Sequence, residues 1–443
     1  MRDRYGNNAM NRSPDAPAGS PELAVIIPAL NERANLEILL PALRDEIAQI
    51  GIPAELVVVD GGSQDGTRET AERRGARVVS QQERGYGGAL LAGFASTAAP
   101  YLLTMDADLS HRPVFLQDLW RRRDEAEVLI ASRYIAGGRA DMGRFRKVLS
   151  HTLNRTYSRV LSLPLRDLSS GFRMYRRAVL TNLAIRARDF DALEEILIRV
   201  HAQGWRILEV PFHYMARGSG RSHARLFKFG WAFLKTLGRM WRLRNSVAAA
   251  DYDWRAFDSP IPLQRYWQRA RHRTVLGFLE SRDRILDVGC GSSRIIVDLP
   301  NAVGLDILQN KLRWLRSRHR RLIRGSCDRL PFRDGAFETL INSEVIEHVP
   351  DAPELWSEMW RVLRPGGLLI LGTPDYDRWL WWVLEWIYGK ILPDAYAHEH
   401  ITHFTRQALA ARLRAGGYEI LECRYVGFCE MIFKARKPPA GCV

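Results

Sequence analysis

The segment from Leu102 to Pro113, LLTMDADLSHRP, places two carboxylates directly after an apolar run that reads as a buried strand. Asp106 and Asp108 are one residue apart, so on an extended strand end their side chains point the same way. Two such carboxylates repel each other unless a cation lies between them. A hard divalent ion such as Mg²⁺ or Mn²⁺ prefers oxygen ligands and usually brings phosphates with it. The segment therefore indicates a metal site for a nucleotide-diphosphate substrate, with two solvated aspartates at a strand end as the alternative.

Length and charge limit what the whole chain can be. With 443 residues it is too long for one ordinary core, which predicts two domains. The formal net charge of +15 indicates an anionic partner, either a phosphorylated substrate or an anionic lipid. No nucleic-acid-reading motif is found, so we expect no nucleic-acid partner.

The termini and apolar runs bear on location. Residues 1–22 are polar and read as a disordered arm without the apolar core of a signal peptide. No apolar run reaches the roughly 20 residues that span a bilayer. We expect a cytoplasmic protein that contacts the cytoplasmic face of the membrane peripherally.

After Leu23, short apolar strands alternate with helical patterns. This alternation predicts β-α-β units in an α/β fold, whose ligands lie at the carboxyl ends of parallel strands. Polar or glycine-rich clusters follow the predicted strands at 28–32, 60–66, 85–88 and 106–108. Glycine-rich turns let backbone N–H groups approach phosphates closely. Each cluster alone could be an ordinary turn, but four in succession indicate a nucleotide site.

Residues 23 to about 222 resemble family-2 glycosyltransferases of the GT-A fold, most of all the polyprenol-phosphate (dolichol-phosphate) mannosyltransferases. The matching runs are VIIPALNERANL, VVVDGGSQDGT, MDADLSHRP, ASRYIAGG, LSSGFRMYRR and GWRILEVPFHYMARGSGRS. The resemblance implies transfer of a sugar, most simply mannose from GDP-mannose, to a polyprenyl phosphate. The lipid phosphate is already an anion, so it can attack C1 in line without a strong base, which predicts inversion.

The resemblance also implies roles for matching residues. Asp106 and Asp108 would hold the metal and the diphosphate, and Glu195 would complete the metal shell or hold an arginine. The base and ribose would be held by Pro28, Glu32 and Asp60. The phosphate groups of donor or acceptor would be gripped by Arg133, Arg217 and Ser222.

Three positions depart from the family's usual pattern. Asp60 is followed by Gly61 where the family often has a second aspartate, which leaves the nucleobase open. The usual Gly-Leu-Gly turn reads Gly85-Tyr86-Gly87, and His223 replaces a basic residue.

Leu226 to Arg244 has the pattern of an amphipathic helix with an apolar and a basic side. Such a helix suits the interface of an anionic membrane, and packing onto its own domain is the alternative. The predicted apolar side holds Leu226, Phe227, Phe229, Phe233, Leu234, Leu237, Met240 and Trp241. The predicted basic side holds Lys228, Lys235, Arg239 and Arg242. Residues 245–262 lack periodicity and are predicted to be a linker.

In the second half, RILDVGCGS (284–292) is a strand that runs into a Gly-x-Gly turn, and Asp306 ends the next strand. This pair fits an adenosyl ligand, because glycines admit it close to the backbone and an acidic side chain bonds the ribose. With LPFRDGAFETLINSEVIEHVPD and WRVLRPGGLLILGTPD, the stretch from Ile285 to Cys423 resembles class I S-adenosylmethionine-dependent methyltransferases.

That resemblance implies a cofactor-binding set. Asp287, Gly289 and Gly291 would line the methionine end, and Asp306 would bind the ribose. The remaining implied cofactor residues are Cys327 and Asp328 near the adenine, with Asn342 and Glu347 beside the cofactor. Ser326 replaces the family's usual acidic residue before Leu-Pro-Phe, so adenine recognition is the weakest part of the set.

Two features could concern the methyl acceptor. The aromatic run WLWWVLEWIY (379–388) could cover an apolar acceptor, contact a membrane or form a buried cap. A cluster that could bind metal, act as a base or simply cap the fold comprises His398, Glu399, His400 and His403.

The sequence thus predicts a bifunctional enzyme with four segments. These are a disordered arm (1–22), a GT-A domain (23–225), an amphipathic helix with a linker (226–262) and a Rossmann-like methyltransferase domain (263–437). The alternative is a glucosyl- or N-acetylglucosaminyltransferase whose second domain is a non-catalytic docking module.

Overall fold

The computed structural model describes residues 20–181, 183–215, 226–391 and 400–441. The chain divides into two units. The first unit comprises residues up to Val200 together with Arg206–Leu237, and the second comprises His201–Trp205 and Gly238–Val443. The predicted arm (1–22) lies almost entirely outside the described residues.

The first unit follows the predicted alternation of strands and helices. Its strands are β1 (Leu23–Ala29), β2 (Ala54–Asp60), β3 (Arg77–Ser80), β4 (Tyr101–Thr104), β5 (Val128–Ser132), β6 (Arg139–Ala140), β7 (Arg173–Arg176), β8 (Ile207–Pro211) and β9 (His213–Tyr214). Its helices are α1 (Arg33–Ile50), α2 (Thr67–Arg73), α3 (Tyr86–Ala95), α4 (Phe115–Arg121), α5 (Arg144–Val160), α6 (Arg177–Leu180), α7 (Ala192–Ala202) and α8 (Leu226–Arg244), of which α7 and α8 extend past the bounds of the unit.

Seven strands form a mixed sheet in the order β3-β2-β1-β4-β7-β5-β8. The strands β1, β2, β3 and β4 pair in parallel, whereas β7 runs antiparallel to both neighbours. Residues 23–27 of β1 are completely buried, as expected for a parallel strand covered on both faces. The carboxyl ends of β1, β2 and β4 therefore meet at one edge of the sheet.

The second unit is also α/β. Its strands are β10 (Ile285–Val288), β11 (Val303–Asp306), β12 (Leu322–Arg324), β13 (Phe337–Ser343), β14 (Leu363–Pro374), β15 (Glu419–Val426) and β16 (Glu430–Arg436). Its helices are α9 (Tyr252–Phe257), α10 (Pro262–Phe278), α11 (Arg294–Val297), α12 (Gln309–Leu315), α13 (Pro353–Val362), α14 (Trp379–Ile391) and α15 (Arg406–Ala415), with a 3-10 helix at Ile346–His348.

The sheet of the second unit has the order β12-β11-β10-β13-β14-β16-β15. The strands from β12 to β14 are parallel, and β16 is antiparallel to both β14 and β15. The strand order reverses between β10 and β13, and ligands of such sheets bind beside that point. The predicted fold class, two α/β domains of GT-A and Rossmann-like type, is confirmed.

The segment between the two sheets differs from its prediction. The helix over Leu226–Arg244 is present, but the division between the units falls inside it, at Leu237. Residues 245–262, predicted as a linker, contain α9, and Tyr252 and Ala256 are buried in the second unit. The missing periodicity reflects a helix of only six residues.

The solvent-exposed side of α8 also differs from the predicted apolar side. Met240 is buried, and Phe233 is half-buried with its backbone oxygen accepting a hydrogen bond from Tyr157 Oη. Among the side chains of α8 that the structure describes, the large apolar ones exposed are Leu234, at 60%, which belongs to the predicted side, and Trp231, at 65%, which does not. In the described ranges, no helix combines the length and hydropathy needed to cross a bilayer.

Candidate active sites

Two loops at the edge of the first sheet are fastened to each other by the polar residues of their motifs. The Asn31 backbone N–H donates to Ser63 Oγ at 2.9 Å, and the Gln64 N–H donates to Asn31 Oδ1 at 2.9 Å. The Glu32 N–H donates to Thr67 Oγ1, also at 2.9 Å. These bonds join the loop after β1 to the loop after β2, so the two loops form one rigid rim.

The residues predicted to hold the nucleoside lie along this rim. Asp60 ends β2 opposite Ala29 of β1, is only 7% exposed, and accepts a hydrogen bond from the Ser63 N–H. Glu32 precedes α1, and its carboxylate accepts a hydrogen bond from Asn35. Pro28 lies in β1, one residue before the strand ends. The structure brings the three together, and their roles toward base and ribose stay a prediction.

Asp106 follows β4 by two residues and is fixed from two sides. Its backbone N–H donates to His111 Nδ1 at 3.1 Å, and its Oδ1 accepts a hydrogen bond from Tyr86 Oη at 2.8 Å. Gly171 lies so close that a Cβ there would be 2.8 Å from Tyr86 Oη and 3.1 Å from Asp106 Oδ1. The glycine of LSSGF is therefore required for this approach to the aspartate.

Asp108 is more deeply placed than Asp106. It is 5% exposed, and its Oδ1 accepts hydrogen bonds from both the backbone N–H and the hydroxyl of Ser110. The Asp106 side chain is 29% exposed. Two oxygen donors at a sheet edge, one of them open to solvent, suit a hard ion such as Mg²⁺ or Mn²⁺.

His111 belongs to the same constellation and was missed as a site residue. It is buried against Phe172, with ring centroids 5.0 Å apart. Burial lowers the pKa of His111, although the carboxylates of Asp106 and Asp108 act in the opposite direction. Since Nδ1 accepts from a backbone N–H, a neutral ring carries its proton on Nε2, which lies 3.9 Å from Asp106 Oδ2. Its position inside the DADLSHRP run is the sequence feature that could have identified His111 as a site residue.

Glu195 is completely buried on α7, and its carboxylate binds backbone N–H groups and an arginine. Its Oε2 accepts from the backbone N–H groups of Arg186 and Ala187, and its Oε1 accepts from Arg199 Nε at 2.8 Å. In the described part of the chain, no group of three potential ligands with atoms within 4.8 Å of one another contains Asp106 or Asp108. These contacts match the alternative in which Glu195 holds an arginine.

Arg133 lies after β5 and forms a buried ion pair with Asp167. Its Nε and Nη2 donate to the two carboxylate oxygens at 2.8 and 2.7 Å, and Nη2 also donates to Ser169 Oγ. Asp167 directly precedes the LSSGF run and Ser169 lies within it, so the contacts with Arg133 anchor this run next to β5. Contact between Arg133 and a phosphate stays a prediction, and Arg217 and Ser222 lie outside the described residues.

A cavity of about 680 Å³ opens in the second unit at the point where the strand order reverses. Gly289 and Gly291 adopt φ values of +70° and +54°, which favour glycine. Asp306 Oδ2 accepts from the Gly291 N–H at 2.8 Å, and its Oδ1 accepts from the Leu308 N–H at 2.7 Å. Of the predicted cofactor residues, the cavity is lined by Asp287, Gly289, Gly291, Asp306 and Cys327.

Asp287 in the cavity wall and Asn342 on β13 carry polar atoms without a hydrogen-bond partner in the described part of the chain. Asp287 Oδ2 and both side-chain amide atoms of Asn342 are buried and make no hydrogen bond to the described residues. Burial, together with the nearby Asp306 carboxylate, raises the pKa of Asp287 to about 8. Unsatisfied buried polar groups are costly, so a polar ligand in the cavity would stabilise the site. The residues present therefore fit the adenosyl and methionine groups of S-adenosylmethionine.

The other predicted cofactor residues lie elsewhere. Asp328 is exposed and does not line the cavity. Glu347 is buried, with Oε2 accepting a hydrogen bond from Thr373 Oγ1. Asn342 lies on β13 directly before Ser343, which lines the cavity, but does not line it itself.

Asp253 and Lys311 also line the cofactor cavity, and neither was predicted. Asp253 Oδ2 accepts hydrogen bonds from the Ser292 N–H and from Lys311 Nζ, both at 2.9 Å. A Cβ on Gly291 would lie 2.6 Å from that oxygen. No sequence signal marked Asp253, because it lies in the supposed linker.

Comparisons with known proteins agree with both halves of this description. Residues 24–183 match the model of glycosyl transferase family 2, and residues 286–371 match a methyltransferase domain. An undecaprenyl-phosphate mannosyltransferase of Micrococcus luteus is 34% identical over 216 residues, covering 44% of this chain and 85% of the relative. A polyprenol monophosphomannose synthase of Mycolicibacterium smegmatis is 35% identical over 214 residues, covering 45% and 79%.

A dolichol-phosphate mannosyltransferase of Pyrococcus furiosus is 30% identical over 210 residues and 45% of this chain, which spans 58% of that relative's length. Among solved structures, glucosyl-3-phosphoglycerate synthase of Mycobacterium tuberculosis is 24% identical, with 50% of this chain and 80% of that one covered and a TM-score of 0.40. A possible histamine N-methyltransferase of Thermotoga maritima is 20% identical, with 40% and 91% covered and a TM-score of 0.35. The chain belongs to glycosyl transferase family 2 through its amino-terminal half, and its carboxyl-terminal half contains a methyltransferase domain.

Proposed function

We propose that the protein is a bifunctional transferase whose first unit moves a mannosyl group from GDP-mannose to a polyprenyl phosphate. The observation that carries the proposal is the pair of aspartates at the end of β4, held by Tyr86 and Ser110 at the edge of the parallel sheet. Two relatives, of which this chain spans 85% and 79%, are named as an undecaprenyl-phosphate mannosyltransferase and a polyprenol monophosphomannose synthase.

Asp106 and Asp108 would hold Mg²⁺ or Mn²⁺ against the donor diphosphate. The bound ion would supply charge stabilisation for the departing diphosphate. Since a phosphate acceptor is already anionic, the main task of the chain is to place its oxygen in line with C1. Attack from the face opposite the leaving group inverts that carbon. His111 accepts a hydrogen bond from the backbone N–H of Asp106. This bond would hold Asp106 in position before the donor binds.

The second unit would bind S-adenosylmethionine in the cavity at the carboxyl ends of β10, β11 and β13 and donate its methyl group to an acceptor. Asp306 accepts hydrogen bonds from two backbone N–H groups at the cavity wall. These bonds would hold its carboxylate in position for the ribose hydroxyl groups. Asp287 lines this cavity and would meet the methionine end, whose cationic ammonium would favour the ionised form of the carboxylate.

Peripheral contact with an anionic membrane would bring the first unit to its lipid acceptor. On α5, Phe145 is 71% exposed and Val148 is 65% exposed, next to the exposed Arg146 and Lys147. On α8, Trp231 and Leu234 are exposed beside Lys235. Exposed apolar side chains among basic ones are typical of helices that lie in a membrane interface.

The direct test incubates the purified full-length chain with a polyprenyl phosphate and, separately, GDP-mannose, UDP-glucose or UDP-N-acetylglucosamine. We expect a lipid-linked hexose from GDP-mannose alone, detected by mass spectrometry of the extracted lipid. Product formed only from a uridine nucleotide would favour the glucosyl or N-acetylglucosaminyl alternative. Calorimetry with S-adenosylmethionine tests the second unit in the same preparation, and no binding would favour a non-catalytic docking module.

A further inference from the structure

Three side chains of metal-ligating type converge in the second unit, away from the glycine turn of the cofactor cavity. Ligand atoms of Glu347, His348 and His400 all lie within 4.8 Å of one another. We propose that these three residues bind a divalent transition-metal ion, which holds a hydroxyl oxygen of the methyl acceptor. The role toward the acceptor rests on the proposed methyl transfer, whereas the metal site stands on its own geometry.

The surroundings of Glu347 favour a cation. The residue is completely buried, and while Thr373 donates to Oε2, Oε1 makes no hydrogen bond to the described residues. A buried carboxylate oxygen without a partner is unfavourable, and a metal ion would satisfy it.

The two imidazoles lie close together, and one of them has the kind of hydrogen-bond partner that metal ligands commonly have. The rings of His348 and His400 lie with centroids 4.9 Å apart. A hydrogen bond of 2.6 Å joins His400 Nδ1 to Tyr376 Oη, and the ring stacks on Trp381 at 5.9 Å. Metal-bound imidazoles are usually held through their other nitrogen by such a contact.

The donor set determines which ions suit the site. Two imidazoles with one carboxylate favour ions such as Mn²⁺, Fe²⁺ or Zn²⁺ over the harder Mg²⁺. Three protein ligands also leave a coordination position open for a substrate oxygen. The same chemistry would therefore serve to anchor a hydroxyl group.

The position of the cluster supports a role toward the acceptor. His348 lines the cofactor cavity, and His400 lines a second cavity of about 70 Å³. The two cavities share Gln268, Arg271 and Glu344 as walls. The second cavity is largely apolar, and its apolar walls are Leu263, Trp267, Trp381 and Leu384. An acceptor with an apolar end and a hydroxyl group would fit there, with its oxygen toward the cofactor.

The backbone next to the cluster is strained. Glu344, which forms a 2.9 Å ion pair with Arg271, has a φ of +62°, a conformation that costs a non-glycine residue free energy. Strain of this kind concentrates at functional sites. This backbone conformation places Glu344 in the wall that the two cavities share.

The test measures metal uptake by the full-length chain carrying Asp106→Asn and Asp108→Asn, so that the first unit does not contribute an ion. The chelator-treated protein is dialysed against Zn²⁺ or Mn²⁺, and bound metal is counted by elemental analysis. We expect one ion per chain, and at least about tenfold weaker binding after His348→Gln or His400→Gln. His403→Gln is the matched control, because His403 stacks on Tyr376 at 4.0 Å but lies outside the ligand cluster.

S-adenosylmethionine binding, measured by calorimetry on every variant, separates the possible failures. Cofactor binding without metal uptake, or equal uptake in His400→Gln, would overturn the metal site and leave methyl transfer standing. Metal uptake that depends on His400 without cofactor binding would uphold the metal site and remove the proposed methyl transfer. Farnesol serves as the acceptor probe: we expect it to bind the zinc-loaded protein more tightly than the chelated one, and equal affinity would overturn the acceptor role.

Discussion

The phenolic hydroxyl of Tyr86 donates a hydrogen bond of 2.8 Å to Oδ1 of Asp106, although the two residues are 20 positions apart. The Tyr86 ring stacks on Phe190 at 4.7 Å, which fixes its direction. Burial, reinforced by the Asp106 charge, raises the pKa of Tyr86 well above its usual value. The hydroxyl therefore stays a donor at physiological pH and orients the carboxylate. Tyr86 stands where the family usually has leucine, so this chain adds a contact to the paired aspartates.

Replacing Tyr86 by phenylalanine removes this contact while keeping the ring. A hydrogen bond to a charged group contributes about 1.5–3 kcal/mol, so we expect kcat/KM for sugar transfer to fall by about tenfold or more. The concentration of Mn²⁺ needed for half-maximal rate should rise as well. Tyr101→Phe, which removes a hydroxyl that donates to Asp124, is the control. An unchanged metal requirement in Tyr86→Phe would show that Asp106 does not depend on Tyr86.

Glu195→Gln separates the two roles predicted for that carboxylate. Because Glu195 binds two backbone N–H groups and Arg199, its neutralisation should destabilise the segment before α7 by about 1–3 kcal/mol. We expect a lower Tm and an unchanged metal requirement for sugar transfer. Glu69→Gln, at an exposed position on α2, should change neither. A raised metal requirement at an unchanged Tm would instead make Glu195 a metal ligand.

The raised pKa of Asp287 predicts that the stability of the cofactor-free protein depends on pH. Its pKa is about 8 in the folded chain, against about 4 when unfolded. Between these values the folded state holds a proton that the unfolded chain has released, so stability falls as pH rises through this window. Asp287→Asn removes that contribution. The Tm of the variant minus the Tm of the wild type should therefore increase steadily from pH 5 to pH 8. A constant difference in Tm would contradict the raised pKa, and Asp283→Asn at an exposed position is the control.

Membrane contact is tested at the side chains that the structure exposes. Trp231→Glu with Leu234→Glu places charges on the exposed side of α8, and binding to phosphatidylglycerol-containing vesicles should fall by about tenfold or more. Phe233 is less suitable, since it packs beside Tyr157. Ile38→Glu with Val114→Glu makes the same change of charge at exposed sites outside α5 and α8. Equal flotation of the two double variants would remove the specific role of α8.

The parts that the sequence predicted correctly depend on short stretches of chain. Apolar runs mark β1, β2 and β4, and their carboxyl ends must meet because the strands are parallel. The positions of Asp60 and Asp106 at the sheet edge follow from that geometry. The glycine turn at 289–291 is likewise local, since its positive φ values require glycine.

The parts that the sequence did not predict depend on partners far apart in the chain. Arg133 finds Asp167 across 34 positions, and Asp253 finds Lys311 across 58. Such pairs form only when the sheet has brought loops together, so neither residue type nor spacing shows them in advance. The sequence also left open whether the apolar side of α8 packs on its own domain, because Phe233 contacts Tyr157 of α5 across 76 positions.

In the proposed mechanism, sugar transfer to a lipid phosphate depends on the paired aspartates of the first unit, Asp106 and Asp108. The most direct measurement is transfer of labelled mannose from GDP-mannose to a polyprenyl phosphate by the wild type and by Asp106→Asn with Asp108→Asn. We expect labelled lipid from the wild type and a loss of at least about a hundredfold in the double variant. S-adenosylmethionine binding by the second unit of the same preparation should be unchanged. Labelled lipid formed by the double variant at the wild-type rate would contradict the account.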